Sequence, residues 1–356
     1  MKVVVYSKPF FPKMGGLERN TRTLCSALTD IGYDARLVTE TTSSDDGNYP
    51  FQVQRINTVF QLYWRMRGAD LVITNGGNLS LRAVVPATLR NLPYGIIYHG
   101  FRGFTKREND APLVSLKNSL RRQLASRAKF NVFTSTESKQ MTDVPEEGTH
   151  VVLNPVDKQL QDLYDDSKSK GERGKDAPFL FAGRLIEGKG ILLLAEALRR
   201  LDQKHQFELI VAGEGRDEDR FWSHVKSLDT IDVEMVGRLS ADELIPLYQH
   251  SRALLVPTTT HVEGNPLVIA EALYAGTPVI ASDQPPMIES VGEAGIIVEQ
   301  GDPAALASAI ARVSSDESYY RSLRRAALDR GDMFSYKRYK DRIRGIMRNV
   351  RSNSFV

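Results

Sequence analysis

The chain has 356 residues, of which 41% are hydrophobic and 26% charged, a composition that excludes a disordered protein and indicates two globular domains. Its one cysteine, Cys25, excludes an internal disulfide framework, favours a reducing compartment and is expected in the core. The start, MKVVVYSK, lacks the apolar run of about 7–15 residues of a secretory signal, and no run approaches the ~18 residues of a membrane span. We therefore expect a cytoplasmic protein that can lie on the inner face of a membrane.

The net charge of +3 conceals three regions of different sign. Residues 1–160 hold 21 Lys and Arg against 14 Asp and Glu, a net charge of +7. Residues 161–334 hold 19 against 29, which is −10, and residues 335–356 hold 7 against 1, which is +6. Two basic segments around an acidic middle indicate two domains with different partners.

The first half of the chain alternates short apolar segments with longer amphipathic ones. The predicted strands are KVVVYS (2–7), ARLVTE (35–40), DLVITN (70–75), YGIIYH (94–99), FNVFTS (130–135) and HVVLNPV (150–156). Their nearly continuous apolar character is typical of strands buried on both faces of a parallel sheet. Between the first two strands, Leu17, Thr21, Leu24 and Leu28 share one face of a predicted helix, and Gly32 is placed to end it.

A polar stretch without periodicity, DDSKSKGERGKDAP (165–178), then predicts a linker. Strand signals resume in FLFAGRL (179–185), FELIVAGEG (207–215), VEMVGRL (233–239), ALLVPTT (253–259), PVIASD (278–283) and AGIIVE (294–299). Strand and helix thus alternate on both sides of the linker, which predicts two doubly wound, Rossmann-like α/β domains. We expect a first domain at 1–160, a linker or hinge at 161–178, a second domain at 179–334, and a basic helix at 335–356.

Ligands of doubly wound sheets bind beyond the carboxyl ends of the strands, and in two such domains these edges can face each other across a cleft. Two strand ends carry signals with an open alternative. Gly15 and Gly16 allow a ligand close to the start of a helix, where phosphate is favoured, but such a pair also serves as a plain turn. His99 ends the fourth strand, and it can equally be a structural histidine bonded to the backbone.

The segment GRLIEGKG (183–190) places two cations at and beyond a strand end. Arg184 can bind phosphate oxygens with its planar guanidinium group, and Lys189 adds a compact positive charge. Taken alone, the pair is equally compatible with two solvated side chains.

The segment HVEGNPLVIAEALYAG (261–276) places two carboxylates eight positions apart. Pro266 can occupy the first turn of a helix that runs to Ala275, with Glu263 in the loop before it and Glu271 inside it. Carboxylates accept hydrogen bonds from neighbouring hydroxyls, so sugar and ribose are suitable ligands, and the free amides at 264–267 would face a phosphate. The apolar residues around Glu271 argue against the alternative of an ordinary exposed position.

Together these motifs resemble the retaining family-4 glycosyltransferases of GT-B fold. The residues that carry the resemblance are Gly15-Gly16, His99-Gly100, Arg184 with Lys189, and Glu263 and Glu271 in EGNPLVIAEAL. Connecting segments LNPVD (153–157), AGEG (212–215), VGRL (236–239) and AGTPVIASD (275–283) are similar as well, so the resemblance covers essentially the whole chain. Asn265-Pro266 departs from it, because many relatives have an aromatic-glycine pair there, and LNPVD departs from a commoner Asn-Gly-Val-Asp.

The resemblance implies a role for each residue. Arg184 and Lys189 would hold the diphosphate of a nucleotide-sugar, Glu271 the ribose and Glu263 the transferred sugar. The remaining donor contacts would come from backbone or nearby positions at Gly15, Gly16, His99, Gly237, Gly264, Asn265 and Leu267. Glu263, His99, Arg184 and Lys189 would be the catalytic set. The C-terminal helix would pack on the first domain.

The sequence predicts no metal site and no cofactor. Its six histidines form no HExxH pair, and Asp217 and Asp219 lie in a charged run, GRDEDR, that predicts a solvated surface. Arg184, Lys189 and a helix start would stabilise the leaving diphosphate without a divalent ion. With no carboxylate placed as a nucleophile, the implied retention favours a front-face substitution.

We therefore expect transfer of a hexose-type sugar, most simply from a UDP-sugar, to a glycan or lipid-linked acceptor in cell-envelope polysaccharide synthesis. The basic stretch LVSLKNSLRRQLASRAK (113–129) and the segment YWRMR (63–67) could contact an anionic membrane, or their apolar residues could pack on the domain itself. A nucleotide-sugar epimerase of the same fold is an alternative, as is a basic nucleic-acid-binding protein. No recognisable nucleic-acid-binding module supports the latter, so no nucleic acid is expected as a partner.

Overall fold

The computed structural model describes the chain except for residues 13–14, 44–46, 77–79, 100–111, 143, 167–173, 175, 262 and 353–356. The chain divides into two compact units. The first comprises Met1–Asp157 with Tyr336–Val356, and the second comprises Lys158–Ser335. Each unit is built on one sheet whose paired strands are all parallel, so the predicted α/β class is confirmed.

The sheet of the first unit has the strand order β3-β2-β1-β4-β5-β6-β7. Its strands are β1 (Lys2–Tyr6), β2 (Asp34–Thr39), β3 (Gln52–Arg55), β4 (Leu71–Asn75), β5 (Tyr94–Tyr98), β6 (Phe130–Phe133) and β7 (Thr149–Val151). Its helices are α1 (Gly16–Asp30), α2 (Val59–Arg65), α3 (Ser80–Leu89), α4 (Pro112–Ala125), α5 (Thr136–Gln140) and the C-terminal α14 (Tyr336–Ser352).

Both faces of this sheet are buried, as the apolar strands require. Val3 and Val5 of β1 belong to one core cluster with Leu24 of α1, whereas Val4 belongs to another with Leu62 of α2. Cys25 is fully buried in the first cluster, so its predicted core position is confirmed. The helix α14 contributes two tyrosines and four apolar side chains to that cluster: Tyr336, Tyr339, Ile343, Ile346, Met347 and Val350.

The sheet of the second unit has the order β10-β9-β8-β11-β12-β13. Its strands are β8 (Phe179–Ala182), β9 (Phe207–Ala212), β10 (Ile231–Gly237), β11 (Ala253–Val256), β12 (Val279–Ser282) and β13 (Gly295–Val298). Its helices are α6 (Lys158–Asp166), α7 (Ile191–Leu201), α8 (Glu218–Val225), α9 (Ala241–His250), α10 (Leu267–Tyr274), α11 (Pro285–Val291), α12 (Pro303–Ser315) and α13 (Glu317–Gly331).

The structure differs from the sequence prediction in two segments. Strand β3 was not predicted, because QVQR is a polar edge strand without an apolar run. The predicted linker, 161–178, begins inside α6, where Leu160 and Tyr164 are buried. These side chains explain the difference, because a helix that buries apolar residues is held by the second unit and does not act as a free connection. Residues 167–173 and 175 of the predicted linker lie outside the described residues.

In each sheet the strand order reverses at one place, which is where doubly wound folds bind ligands. In the first unit the reversal lies between β1 and β4, and in the second it lies between β8 and β11. The segments after β1, β8 and β11 contain Gly15-Gly16, Arg184-Lys189 and Glu263. The topology therefore places most of the predicted site residues at the two reversal points.

Candidate functional site

Three charged residues that the sequence separates lie together at the reversal point of the second unit. Lys189 ends a short 3-10 turn after β8, and its ammonium group forms an ion pair with the carboxylate of Glu263, which follows β11. Both side chains are largely buried, with 20% and 9% of their surfaces exposed. Arg184 is exposed, and its Nη2 lies 3.4 Å from Nε2 of His261 in the same loop as Glu263.

Backbone contacts hold these two loops against each other. The amides of Thr259 and His261 each donate to the Gly188 carbonyl at 3.1 Å, and the Thr259 hydroxyl donates to the Glu187 carbonyl at 2.8 Å. Gly190 has a φ of 80°, and a Cβ there would stand 1.7 Å from the Pro257 carbonyl oxygen. Only glycine fits this approach, which explains the last glycine of GRLIEGKG.

Asp217 stabilises the same loop from the other side. Its carboxylate accepts from the Glu187 amide at 2.7 Å and from Arg220 at 2.9 Å, while its own amide donates to the Leu185 carbonyl at 3.0 Å. The hydrogen bond from Glu187 keeps the pKa of Asp217 below its usual range. Asp217 is buried, so the predicted solvated position is wrong for this residue, whereas Asp219 is exposed as expected.

The start of α10 lies next to Glu263. Pro266 is the N-cap of α10, and the first intrahelical bond is donated by the Ile269 amide to the Pro266 carbonyl. The helix amides before Ile269, beginning with Leu267, therefore have no intrahelical acceptor. The side chain of Asn265 is buried and donates to Ser290 of α11 at 2.7 Å. This position therefore offers a ligand its backbone only, and Gly264 beside it is half-buried.

Gln284, between β12 and α11, fixes the loop that carries Glu263. Its side-chain amide donates to the His261 carbonyl at 3.0 Å and accepts from the Glu263 amide at 3.3 Å. Both ends of one side chain thus bind one short loop. Because the loop is held on both sides of residue 262, the carboxylate of Glu263 stays directed at Lys189.

Glu271 lies inside α10 with 2% of its surface exposed. Its Oε2 accepts a hydrogen bond of 3.1 Å from the hydroxyl of Tyr248 in α9. The expectation that Glu271 is not an exposed helix residue is therefore confirmed. Gly237, at the end of β10, has a φ of 69°, and its carbonyl accepts from the Gly213 amide at 2.7 Å, which aligns the ends of β9 and β10.

In the first unit, His99 joins a chain of buried amide side chains at the carboxyl ends of β1, β4 and β5. Its Nε2 lies 2.7 Å from Oδ1 of Asn75, whose Nδ2 donates to Thr21 at 2.9 Å and to Asn20 at 3.2 Å. Asn20 in turn donates to Asn154 at 2.9 Å. The alternative of a histidine bonded to the backbone is not what these contacts show, because the partner is a side chain.

This chain of hydrogen bonds decides the tautomer of His99. The amide nitrogen of Asn75 donates to Thr21 and Asn20, so its oxygen faces His99 and accepts a hydrogen bond from Nε2–H. Burial lowers the pKa of His99 to about 4, so the ring is neutral at pH 7. Nδ1 then carries a lone pair and can accept a hydrogen bond from a hydroxyl.

The glycine pair stands where the sequence places it. Gly16 is the first residue of α1 and is exposed, and Gly15 is the N-cap with an extended backbone. A Cβ on Gly15 would stand 2.6 Å from the carboxylate of Glu18, a buried residue of the first turn. Gly100, the neighbour of His99 in the motif, lies outside the described residues.

Comparison with known proteins identifies the second unit. Residues 164–330 match the family model of the glycosyl transferases group 1. The matched segment is just under half of the chain, and through it the chain is similar to the glycosyl transferases group 1. The match spans every residue of the second unit that the sequence assigned to a donor.

Curated relatives extend the similarity. An uncharacterized glycosyltransferase of Methanocaldococcus jannaschii is 25% identical over 95% of this chain and 94% of its own. An N-acetyl-D-galactosaminyltransferase of Campylobacter jejuni, named for an undecaprenol-diphosphate-linked acceptor, is 28% identical over 54% of this chain and 52% of its own. The chain spans only 38% of the length of a second M. jannaschii glycosyltransferase, to which it is 30% identical over 42% of its own length.

Solved structures confirm the GT-B fold of the chain. HepE of Anabaena, solved in complex with UDP, superimposes with a TM-score of 0.79 at 18% identity, over 98% of this chain and 99% of that one. At this identity the likeness concerns the fold. The prediction of two Rossmann-like domains of GT-B type is therefore confirmed, while their facing across a cleft stays a prediction.

The described part of the chain contains no cluster of three or more His, Cys, Asp and Glu side chains placed to bind a metal ion. No helix among the described residues has the length and apolar character needed to cross a membrane.

The neutral His99 predicts a pH dependence of stability for the first unit. Its pKa is about 4 in the folded chain against about 6.5 for an ordinary histidine, so the unfolded state binds the proton first as the pH falls. The free energy of unfolding should therefore decrease between pH 6.5 and 4, by up to about 3 kcal/mol from this residue. In His99→Gln this part of the decrease should disappear.

Denaturant titrations followed by tryptophan fluorescence test this prediction. A Trp222→Phe background leaves Trp64 of the first unit as the reporter. The exposed His224→Gln in the second unit is the matched control and should retain the wild-type pH profile. Identical profiles for wild type and His99→Gln would contradict a neutral buried His99.

Several residues that shape this site escaped the sequence prediction. Hydrogen bonds connect Asp217, Gln284 and Asn75 to partners that lie 23 to 55 positions away in the chain, and no local pattern reveals such contacts. A signal existed for two of them. Asp217 follows the glycine-rich AGEG at the end of β9, and Asn75 is the last residue of β4 beside the reversal point.

Proposed function

We propose that the chain is a retaining glycosyltransferase that transfers a hexose-type sugar from a nucleotide-diphosphate sugar, and that this donor is a UDP-sugar. The acceptor is a glycan or a lipid-linked glycan of the cell envelope. The observation that carries this proposal is the ion pair of Lys189 and Glu263, beside Arg184 and the start of α10 at the reversal point of the second sheet. Cation, carboxylate and helix start together match a ligand that is phosphate at one end and sugar at the other.

Each part of the donor has residues suited to it. Arg184, Lys189 and the amides of Asn265 and Leu267 bind the diphosphate, and the carboxylate of Glu271, buried one and a half turns into the helix, accepts from the ribose hydroxyls. The backbone after β10, at Gly237, borders the base. HepE, solved with UDP, supports a uridine nucleotide for this fold.

The contact between Lys189 and Glu263 locates the bond that breaks. Lys189 serves the phosphate and Glu263 the sugar hydroxyls, so the C–O bond between the two groups lies where these side chains meet. Negative charge grows on the leaving diphosphate, and Lys189 stabilises it more strongly in the transition state than in the ground state. The departing phosphate accepts the proton of the acceptor hydroxyl on the same face of the sugar, which retains the anomeric configuration.

His99 and the glycine pair belong to the acceptor-side unit in this proposal. The free lone pair of Nδ1 on His99 accepts from a hydroxyl of the transferred sugar, and the Gly16 amide donates to a sugar or phosphate oxygen. The basic character of residues 1–160 favours an acceptor that carries phosphate. The Campylobacter relative, named for an undecaprenol-diphosphate-linked acceptor, supports a lipid-linked one.

A donor panel tests the proposal. The protein is incubated with UDP-, GDP- and dTDP-sugars, and nucleoside diphosphate release is measured with and without extracted lipid-linked glycans. Release that rises with acceptor supports the transferase. Interconversion of sugars without net release would support the epimerase of this fold. If there is no release and no nucleotide-induced thermal shift, both the transferase and the epimerase are excluded.

The chemistry of the charged residues predicts independence from divalent metal. Lys189 pairs with Oε1 of Glu263, and Asp217 accepts from an amide and a guanidinium group, so protein cations and N–H donors already neutralise the carboxylates that a divalent ion would use. We expect EDTA to leave donor turnover within about twofold of its untreated value. Recovery of lost activity by added Mn²⁺ but not by added Na⁺ would contradict this prediction.

A further inference from the structure

Helices α2 and α3 of the first unit form an apolar groove on the surface, which we call the α2–α3 groove. It has a volume of about 630 Å³, and its lining includes Phe60 and Tyr63 from α2 with Leu81, Val85 and Leu89 from α3. This volume lies within the range of small-ligand sites. None of the residues assigned to the donor or to the His99 network lines it.

The groove does not follow from the core packing of its helices. Leu62 of α2 and Val84 of α3 already face the core, yet the outer faces of both helices are apolar as well. Phe60 and Trp64, four positions apart, are 69% and 52% exposed, and Leu89 is 73% exposed. Large apolar side chains concentrated on the outer face of two adjoining helices mark a binding surface.

The surroundings of the groove are positively charged. Residues 47–99 contain five arginines, no lysine and one acidic residue, Asp70, which accepts from the Lys2 amide at 2.7 Å. Arg82 in the lining is paired with Glu40 at 2.7 Å, so the other arginines carry the excess positive charge. Arg65 and Arg67 are exposed at the end of α2. Arg90 stacks over Tyr63 at 3.9 Å from the ring centroid, so a guanidinium group lies directly beside the apolar lining.

This combination selects one kind of occupant. An apolar groove takes a hydrocarbon chain, the arginines take a phosphate, and tryptophan and tyrosine beside them are typical of a membrane interface. A second copy of the chain is disfavoured, because two arginine-rich rims would repel each other. We propose that the α2–α3 groove binds a hydrocarbon chain of an anionic bilayer lipid while the neighbouring arginines contact its phosphate.

Helix α4 adjoins α3 and contains most of the basic stretch 113–129, which the sequence analysis associated with membranes. Leu116 and Leu120 are 68% and 42% exposed, whereas Leu124 is buried. The alternative that these leucines pack on their own sheet is therefore wrong for the first two. The lipid as partner rests on the proposed function with its lipid-linked acceptor, but the groove, its exposed apolar residues and its arginines do not.

Vesicle binding tests the proposal without any donor or acceptor sugar. The full chain, in a Trp222→Phe background, is mixed at low salt with phosphatidylcholine vesicles that contain about one third phosphatidylglycerol. We expect co-sedimentation and quenching of Trp64 by lipids brominated on the acyl chain. Phe60→Ser with Leu89→Ser should weaken binding about 10- to 100-fold, since two apolar side chains lose their place in the lipid.

Matched variants separate the two parts of the surface. Arg65→Gln with Arg67→Gln should weaken binding about 10-fold on the anionic vesicles and leave brominated-lipid quenching of the bound protein unchanged. Met141→Ser, which replaces an exposed apolar residue outside the groove, should bind like the parent chain. Circular dichroism and thermal unfolding establish that each variant is folded.

Two results would overturn the proposal. One is unchanged vesicle affinity in Phe60→Ser with Leu89→Ser, and the other is self-association that these substitutions abolish in the absence of lipid. Neither result bears on the proposed donor site, since nucleotide binding and donor turnover of the same variants are measured separately, without vesicles. Conversely, a chain that binds vesicles but no nucleotide would refute the glycosyltransferase and leave the groove proposal standing.

Discussion

Replacing Lys189 with alanine is expected to lower turnover about 100- to 1,000-fold while donor affinity falls less than about tenfold. The ammonium group meets the charge that grows on the leaving diphosphate, whereas ground-state binding is shared with Arg184 and the start of α10. Removing the cation also leaves the Glu263 carboxylate without its ion pair close to the donor phosphate. Rates of nucleoside diphosphate release and calorimetric nucleotide affinities measure the two quantities separately.

Two further variants isolate the role of Lys189. Lys189→Ala combined with Glu263→Gln removes the uncompensated carboxylate, so any recovery of affinity but not of turnover assigns the lost rate to the cation. Lys204→Ala, an exposed lysine of the same unit, should behave as wild type. A loss of affinity in Lys189→Ala with unchanged turnover of the bound donor would show that the ammonium group binds ground state and transition state uniformly.

Replacing Glu271 with alanine is expected to weaken UDP binding about 10- to 100-fold, with a smaller effect on turnover of bound donor. The carboxyl group is buried, so water does not fully replace the hydrogen bonds that it accepts from the ribose hydroxyls. Its second contact, the hydroxyl of Tyr248, holds one oxygen in place. Calorimetry with UDP on folded protein gives the change directly.

A ligand lacking one hydroxyl makes this test specific. The wild type should discriminate UDP from 2′-deoxy-UDP about tenfold, and Glu271→Ala should discriminate them little, because the interaction is absent from both complexes. Tyr248→Phe keeps the carboxylate and should retain most of the discrimination. Full discrimination in Glu271→Ala would exclude Glu271 as the ribose ligand, even if its overall affinity fell.

The two strand-end loops show how far local sequence carried the site. Glycines, cations and carboxylates just after apolar strands predicted where Arg184, Lys189 and Glu263 would lie, because parallel strands place their carboxyl ends at one edge. The ion pair itself was not predicted. Lys189 and Glu263 are 74 positions apart, and their contact depends on β8 and β11 being neighbours.

Asn265 illustrates what a motif leaves open. It follows Glu263-Gly264, where many relatives have an aromatic-glycine pair, and its side chain is buried against Ser290. The departure from the commoner aromatic-glycine pair therefore changes how the loop is attached to α11. The roles of the individual residues in donor binding stay predictions until the variants above are measured.

The sequence by itself determined the α/β class, the strands with apolar character, and the edges of the two sheets where charged and glycine residues collect. It could do so because burial on both faces of a parallel strand imposes a continuous apolar run, and chain reversal after it requires particular residues. The tertiary structure decided the edge strand β3, the membership of α6, the tautomer of His99 and the pairing of Lys189 with Glu263. Each of these depends on contacts between residues far apart in the chain, whose energies no local pattern encodes.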